Sequence, residues 1–523
     1  MIIACMRTSI VTVGLFDNFE NLVTWADELK LKHLCTSSDK LANIKIALAS
    51  NLLTLESIIV FDHVNKAKKE EFLLLGVKLI NFDSLTEGDG VTENDLTEEN
   101  DPCFLSLTAG STSRAKFCII SHLNLISNLS GCLYLAQEIT SDETYLSYMN
   151  FSVLGEILLI FLISASLGRI GLASNPKDFI KDAKFLKPSI IVAVPRVLEF
   201  ISTSIKNIVD QLSGISKSLY NKAYASKLEK YEKTGSLKHK IWDSLVFKKA
   251  RKSLGGELRI IITGLGITNK EVVRHLKLVL SCDILEGYGL VESTVAVSVS
   301  KPGDINVGHL GGPLINIEAK LHYTGLLFEE YTHYYGELYI KGNSVSGKYY
   351  NIPGTSLDTN GWLPTGDLFT VIPETGGFKF IDRIENISIS KSGKYICIQQ
   401  LEILYRQCNI VAQIFCIGNK LIEGVIAIVV PDLEVVKKKW KSTNVERFCK
   451  GEEMSNAIMR EFLVVERIHK LREHEKIVKV FVETEQWVGD EVVTQTLKLK
   501  RFKLLEKYQE IINRMVQDYL INA

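Results

Sequence analysis

The sequence predicts an α/β fold: a large N-terminal domain of doubly wound sheets with helices, followed by a small α+β domain. Three observations predict it. Apolar strands alternate with polar helical pieces along the first part of the chain, the pattern of a parallel sheet covered by helices. Strands repeatedly stop at glycine-containing turns, as in α/β sheets that hold ligands at strand carboxyl ends. After about Asp382 the texture changes to short strands between charged helices. The boundary is placed at Glu385, giving domains 1–384 and 385–523. A chain of 523 residues is too long for a single core.

In order, Ser9–Leu15 reads as a strand, Leu22–Leu31 as a helix, and Ser57–Asp62 and Lys78–Phe82 as strands. Thr86–Asp101 is acidic, carries Gly88 and Gly90, and reads as an exposed connection. Cys103–Thr108 is a strand running into small residues, Ala109–Ser113. Ile190–Val194 is a strand closed by Pro195, and Lys206–Lys252 is charge-rich and helical. Leu258–Thr263 stops at Gly264, and Ile284–Tyr288 stops at Gly289. In the second domain, Ala412–Ile417 and Gly424–Val430 read as strands, Leu433–Trp440 and Asn456–His469 as helices.

Composition excludes several classes. Lys plus Arg equal Asp plus Glu at 61 each, so nothing points to electrostatic binding of nucleic acid. The ten cysteines form no CxxC pair and read as reduced thiols. The histidines lack zinc spacing. The longest apolar run, Ile157–Gly168, falls short of the roughly 20 residues that span a bilayer and reads as a buried core helix. Neither a signal peptide nor a C-terminal targeting motif is evident.

Five segments carry candidate chemistry. Leu107–Lys116 (LTAGSTSRAK) follows a strand and offers backbone N–H groups, hydroxyls and the Lys116 cation to a polyphosphate. It is not a Walker A loop, and by composition alone a plain Ser/Thr turn is the better reading. Gly287–Glu292 (GYGLVE) sets an aromatic for a purine face beside a carboxylate suited to Mg²⁺, though the pattern is common. Gly361–Asp367 (GWLPTGD) places a carboxylate after a glycine turn, fit either for ribose hydroxyls or for an Asx turn. Ile381–Glu385 (IDRIE) puts Arg383 at the boundary, as a phosphate or ribose cation or as a local ion pair. Near the end, Thr494–Arg501 (TQTLKLKR) presents three cations, which is most often a solvated face.

The order of these segments resembles that of the adenylate-forming, AMP-binding superfamily. The stretches between them resemble its eukaryotic long-chain fatty acyl-CoA synthetases: Lys187–Arg196 (KPSIIVAVPR), Trp242–Phe247 (WDSLVF), Glu286–Gly289 (EGYG), Gly308–Pro313 (GHLGGP) and Gly336–Gly342 (GELYIKG). The resemblance implies an ATP-dependent long-chain fatty acid–CoA ligase with Mg²⁺, forming acyl-AMP and then acyl-CoA, with ATP, a long-chain fatty acid and CoA as its partners. It implies that Thr108, Gly110, Ser111, Thr112, Ser113 and Lys116 cradle phosphates and that Glu292 holds the metal. Gly264, Gly287 and Tyr288 would border the adenine, Asp367 and Arg383 the ribose, and Lys498 would bridge carboxylate and α-phosphate. The second domain becomes a mobile lid hinged at Glu385, with Gly393 beside CoA. A cytoplasmic protein with a peripheral contact on a cytosol-facing membrane, such as the endoplasmic reticulum, is expected.

The copy departs from the family pattern. Ala109, Ser113, Ala115 and Phe117 replace Ser, Gly, Pro and Gly in the phosphate segment. Val291 replaces a Thr before Glu292, Val153 a His near the fatty-acid site, Lys394 a Glu after Gly393 and Gln495 a Pro near Lys498. The family's opening helices, first strands and membrane anchor have no counterpart, so the expectation is either an internal start or an abbreviated N-terminal domain. The alternative expectation is a catalytically impaired acyl- or nucleotide-binding relic of the same fold.

Overall fold

The computed structural model describes residues 1–15, 19–85, 97–108, 115–135, 139–175, 178–326, 328, 334–440, 445–449, 451–489, 492–494 and 498–522. They fall into two compact units, Met1–Cys103 and Phe104–Ala523.

The first unit is built on a three-stranded parallel sheet, His33–Thr36, Ser57–Val60 and Lys78–Asn81, with Ser57–Val60 in the middle. The apolar run of the middle strand is buried on both faces, as expected of a parallel strand under helices. Helices Leu41–Ala49 and Lys66–Leu73 bury Leu41, Ile44 and Phe72 against that sheet. The expected helix 22–31 is present as Phe19–Glu28. The expected strand Ser9–Leu15 shrinks to Thr12–Val13 behind a helix, Ile2–Arg7, that buries none of its residues. Ile10 and Val11 are exposed, whereas Val13 and Leu15 are half-buried. Strand His33–Thr36 was not anticipated, because HLCT has neither alternation nor an apolar run.

The second unit contains a seven-stranded sheet. Its order is Gly312–Pro313, Ser298–Val299, Asp283–Tyr288, Ile260–Thr263, Ile190–Val192, Thr144–Ser147 and Arg169–Leu172. The last five strands in that order run parallel; Ile260 sits opposite Asp283 on one side and Ile190 on the other. Pro195 opens a helix, Pro195–Asp210, at its first turn, where the missing N–H is not needed. The apolar run expected to be a core helix is Leu154–Ala165, burying Ile157, Leu158, Leu162 and Ile163. No helix among the described residues is long and apolar enough to cross a membrane.

A four-stranded antiparallel sheet follows, in the order Glu318–His322, Tyr335–Lys341, Leu363–Val371 and Phe378–Arg383. Beyond it, Val411–Gly418 pairs antiparallel with Val425–Pro431, which pairs parallel with Ile477–Val482. One face of this sheet packs on helices Ile398–Tyr405 and Glu452–His469, the other on Arg501–Asn522. The charged helical stretch 206–252 resolves into the end of Pro195–Asp210 and helices Gly214–Thr234, Lys240–Leu245 and Lys248–Ser253.

One ion pair explains the Trp-Asp motif at 242–243. Lys227, with its side chain 0% exposed, places Nζ 2.5 Å from Asp243 Oδ1 and donates to Ser281 Oγ at 2.6 Å. Burial pulls the Lys227 amine downward, and the Asp243 carboxylate opposes that pull. Lys227→Ala leaves Asp243 without its cation, so urea unfolding should show a loss of about 3–5 kcal/mol. The double change Lys227→Met with Asp243→Leu should lose less than Lys227→Ala. A larger loss in the double variant would contradict this account.

Candidate active site

The parallel sheet brings two glycines together at its carboxyl edge. Gly264 follows Ile260–Thr263, and Gly287 lies in the neighbouring strand Asp283–Tyr288. A Cβ on Gly264 would lie 3.1 Å from the Gly287 carbonyl oxygen, so the backbones meet without side chains between them. Leu265, next along, has φ +63°, which turns the chain sharply away from the sheet.

Tyr288 closes its strand and donates from its hydroxyl to Asp367 Oδ2 at 2.6 Å. Its ring meets Phe369 edge-on, with centroids 4.7 Å apart. Asp367 comes from the antiparallel sheet, where it sits opposite Arg383 in register. The carboxylate is 3% exposed. Arg383 Nε lies 3.4 Å from Asp367 Oδ1, and Arg383 Nη1 lies 3.6 Å from Glu385 Oε1. Burial raises the Asp367 pKa, while Arg383, Tyr288 and Lys498 pull it down. Asp382, fully buried next door, accepts N–H bonds from Arg383 and Gln399, and burial pushes it up to about 7.

Lys498 arrives from the far end of the sequence. Its backbone is fixed to Thr494 by two hydrogen bonds, one to the Thr494 hydroxyl at 3.0 Å and one from the Thr494 N–H at 2.7 Å. Its Cε lies 3.9 Å from where a Cβ on Gly266 would stand, just past the Gly264 turn. Lys498, Asp367, Arg383, Tyr288, Gly264 and Gly287 therefore share one locality.

Glu292 and Lys116 meet around a residue that the motif reading passed over. Tyr349 donates to Glu292 Oε1 at 2.8 Å, and Lys116 Nζ lies 5.3 Å from the centroid of the same ring. Burial and the Glu292 charge both push the Tyr349 pKa up, so the phenol stays protonated and remains a donor. Tyr349 belongs to no motif; the only signal was its place in the Gly347–Tyr350 stretch after the GELYIKG segment. Thr108 N–H donates to the Lys116 carbonyl at 2.8 Å, and Lys116 N–H to Thr108 Oγ1 at 3.0 Å. The two ends of the phosphate segment are thereby joined. Gly110, Ser111, Thr112 and Ser113 lie outside the described residues.

Among the described residues no group of three or more His, Cys, Asp or Glu side chains forms a metal cage. Mg²⁺ does not require one, since it commonly takes one or two carboxylates together with substrate phosphates. Glu292, an oxygen donor oriented by Tyr349, fits that chemistry. Gly393 stands apart from this group: it has φ +78° in the turn between Ile387–Ile389 and Tyr395–Cys397, donates to the Ser390 carbonyl and has open space around it.

The family model described as AMP-binding enzyme matches residues 1–350. The chain is 27% identical over 536 residues to long-chain-fatty-acid–CoA ligase 5 of Mus musculus, covering 98% of this chain and 78% of that protein. It is 29% identical over 546 residues to fatty acyl-CoA synthetase A of Dictyostelium discoideum, covering 99% and 80%. Among solved structures, the A domain of carboxylic acid reductase from Segniliparus rugosus, in complex with AMP and a co-purified carboxylic acid, matches with a TM-score of 0.74. That match is 20% identical and covers 99% of this chain and 80% of that one, a likeness of fold.

The locality sets the proton affinity of Lys498. Burial and, after it, the Arg383 charge lower its pKa to about 8, with Asp367 opposing both. Below that pH the group is an ammonium; above it, a free amine. Amine acylation of Lys498, followed by mass spectrometry, should rise through a midpoint near pH 8. Arg383→Gln should move the midpoint up and Asp367→Asn should move it down. Between about pH 8 and the ordinary value of 10.5 the unfolded chain binds the extra proton, so this group's contribution to stability rises with pH. A native midpoint at the ordinary lysine value would contradict the burial of the amine.

Proposed function

The chain belongs to the AMP-binding enzyme family, and on that premise we propose that it is an ATP-dependent long-chain fatty acid–CoA ligase. In the first step an oxygen of the fatty carboxylate bonds to the α-phosphorus of ATP and pyrophosphate leaves, giving acyl-AMP. In the second, the CoA thiolate bonds to the acyl carbon and AMP leaves. The observation that carries the reading is the convergence of Lys498, Arg383 and Asp367 beside the Gly264–Gly287 backbone. The curated names of the relatives support the long-chain fatty acid and CoA.

Each residue then has a physical task. Asp367 accepts hydrogen bonds from ribose hydroxyls, and Arg383 supplies a fixed cation beside them. Tyr288, held by Asp367 and Phe369, stands against one side of the adenine space bordered by Gly264 and Gly287. Lys498 as ammonium attracts the carboxylate and α-phosphate oxygens into contact, offsetting their mutual repulsion. Thr108, Lys116 and the segment residues Gly110, Ser111, Thr112 and Ser113 hold the β- and γ-phosphates. Glu292 would hold Mg²⁺, which when bound neutralises charge on the phosphate oxygens. Residues 385–523 act as a lid turning at Glu385, which brings Gly393 beside CoA. The acyl product is amphipathic, so the reading includes a peripheral contact with a cytosol-facing membrane.

The test is ATP–pyrophosphate exchange by purified protein across a series of fatty acids. Exchange dependent on a long-chain acid is expected. Lys498→Ala should reduce exchange by about 100-fold or more, and preformed acyl-AMP should still react with CoA. Loss of both half-reactions together would contradict the role given to Lys498. No exchange with any acid, despite measurable ATP binding, would mark the chain as a non-catalytic binder of this fold.

A further inference from the structure

The turn that carries Glu292 is backbone-strained, and the strain has an identifiable support. Thr294 has φ +56° and Val295 φ +93°. Both are β-branched, a class for which left-handed backbone is a true outlier. Such conformations persist only where their surroundings over-determine them. The turn folds back on itself: Val295 N–H donates to the Leu290 carbonyl at 2.9 Å, and a Cβ on Gly289 would lie 1.3 Å from the Val295 carbonyl oxygen. Thr294 Oγ1 donates to the Ser344 carbonyl at 2.8 Å.

Within the turn, Thr294 N–H donates to the Val291 carbonyl at 2.9 Å and Ser293 Oγ to the Val295 carbonyl at 3.3 Å; the support from another element comes from one side chain. Asn128, 0% exposed in helix His122–Leu135, donates from Nδ2 to the carbonyls of Ser293 at 3.0 Å and Ala296 at 2.7 Å. Its Oδ1 accepts the Ala296 N–H at 3.4 Å. Those two carbonyls flank the two strained residues. A single amide thus spans the strained pair and ties it to the helix. Glu292 stands just before this span; its carbonyl accepts the Ser346 N–H at 2.6 Å, and its carboxylate accepts Tyr349.

We propose that Asn128 is a positioning residue that sets the Glu292 carboxylate for Mg²⁺·ATP by holding Thr294 and Val295 in their left-handed conformations. The inference rests on the ligase reading and deepens it. Neither group donor survives in Asn128→Ala, so the turn relaxes and the carboxylate moves off its Tyr349-bound position.

The experiment compares wild type, Asn128→Ala, Val295→Gly and the double variant. Calorimetric binding of a non-hydrolysable ATP analogue with Mg²⁺ should weaken about tenfold in Asn128→Ala, as should the exchange rate, the size expected for loss of one or two positioning hydrogen bonds. KM for the fatty acid and the reaction of preformed acyl-AMP with CoA should stay within about twofold, because neither uses Glu292. Glycine adopts positive φ freely, so Asn128→Ala should cost several-fold less in the Val295→Gly background. A residue that merely packs would show no such rescue. Where alanine does not fold, Asn128→Ser is compared in the same two backgrounds. Equal losses in both backgrounds, or uniform loss across both half-reactions, would overturn the inference. Wild-type protein without exchange would overturn the ligase reading instead, while the calorimetric arm would still decide the role of Asn128.

Discussion

A carboxylate removed from water must be given partners, and Asp367 shows how much of the molecule that requirement organises. Isolated burial of an ionised carboxyl is costly enough that the group would take up a proton instead. Here a phenol from the parallel sheet, a guanidinium from the adjacent antiparallel strand and an amine from the last part of the chain all lie close to it. Segments separated by more than two hundred positions in sequence therefore have to be in place together. The same demand explains why Lys498 is a poorer base for protons than an exposed lysine and yet remains close to a carboxylate: burial and a neighbouring arginine outweigh the attraction of Asp367.

What the sequence made legible follows from what periodicity and punctuation encode. Ser57–Val60, Lys78–Asn81, Ile260–Thr263 and Asp283–Tyr288 are short apolar runs that stop at or near turn residues, and each is a strand of a parallel sheet. The helix Leu154–Ala165 was legible from length and composition alone. The candidate residues form an ordered series of motifs in the sequence, and the structure brings Asp367, Arg383, Tyr288 and Lys498 together in one group and Glu292 and Lys116 around Tyr349 in another. Tyr349 and Asn128 were not legible, for different reasons. A tyrosine outside any motif carries no sign that its hydroxyl will meet a carboxylate. An asparagine on a moderately apolar helix looks like any polar surface residue until the fold places two unpaired carbonyls over it. Strand 9–15 was legible only in its middle: Thr12–Val13 is a strand, while Ile10 and Val11 before it are exposed.

The departures from the family pattern take on physical meaning in this setting. Val291 lacks the hydroxyl expected there, and the two hydroxyls that follow do not replace it. Ser293 Oγ is engaged with the Leu290 backbone, and Thr294 Oγ1 with the Ser344 carbonyl. On the proposed reading, phosphate neutralisation near this turn would therefore fall more heavily on Lys116 and on a cation held by Glu292. Val153 likewise begins helix Leu154–Ala165 without a side-chain cap. Apart from Lys394, the altered positions are neighbours of the candidate charged groups, and Lys116, Glu292, Asp367, Arg383 and Lys498 all stand in the sequence.

The meeting of Gly264 and Gly287 has a consequence for how such a protein ages. Where two strands close on each other through peptide groups, the surface offered to a ligand is written in amides and carbonyls. Point mutation edits side chains and leaves peptide groups alone, provided no methyl is added at either glycine. Substitutions elsewhere in the chain can therefore accumulate while this backbone floor keeps its shape and polarity. Drift is then confined to the side chains around it, and the floor itself is inherited almost without reference to the letters nearby.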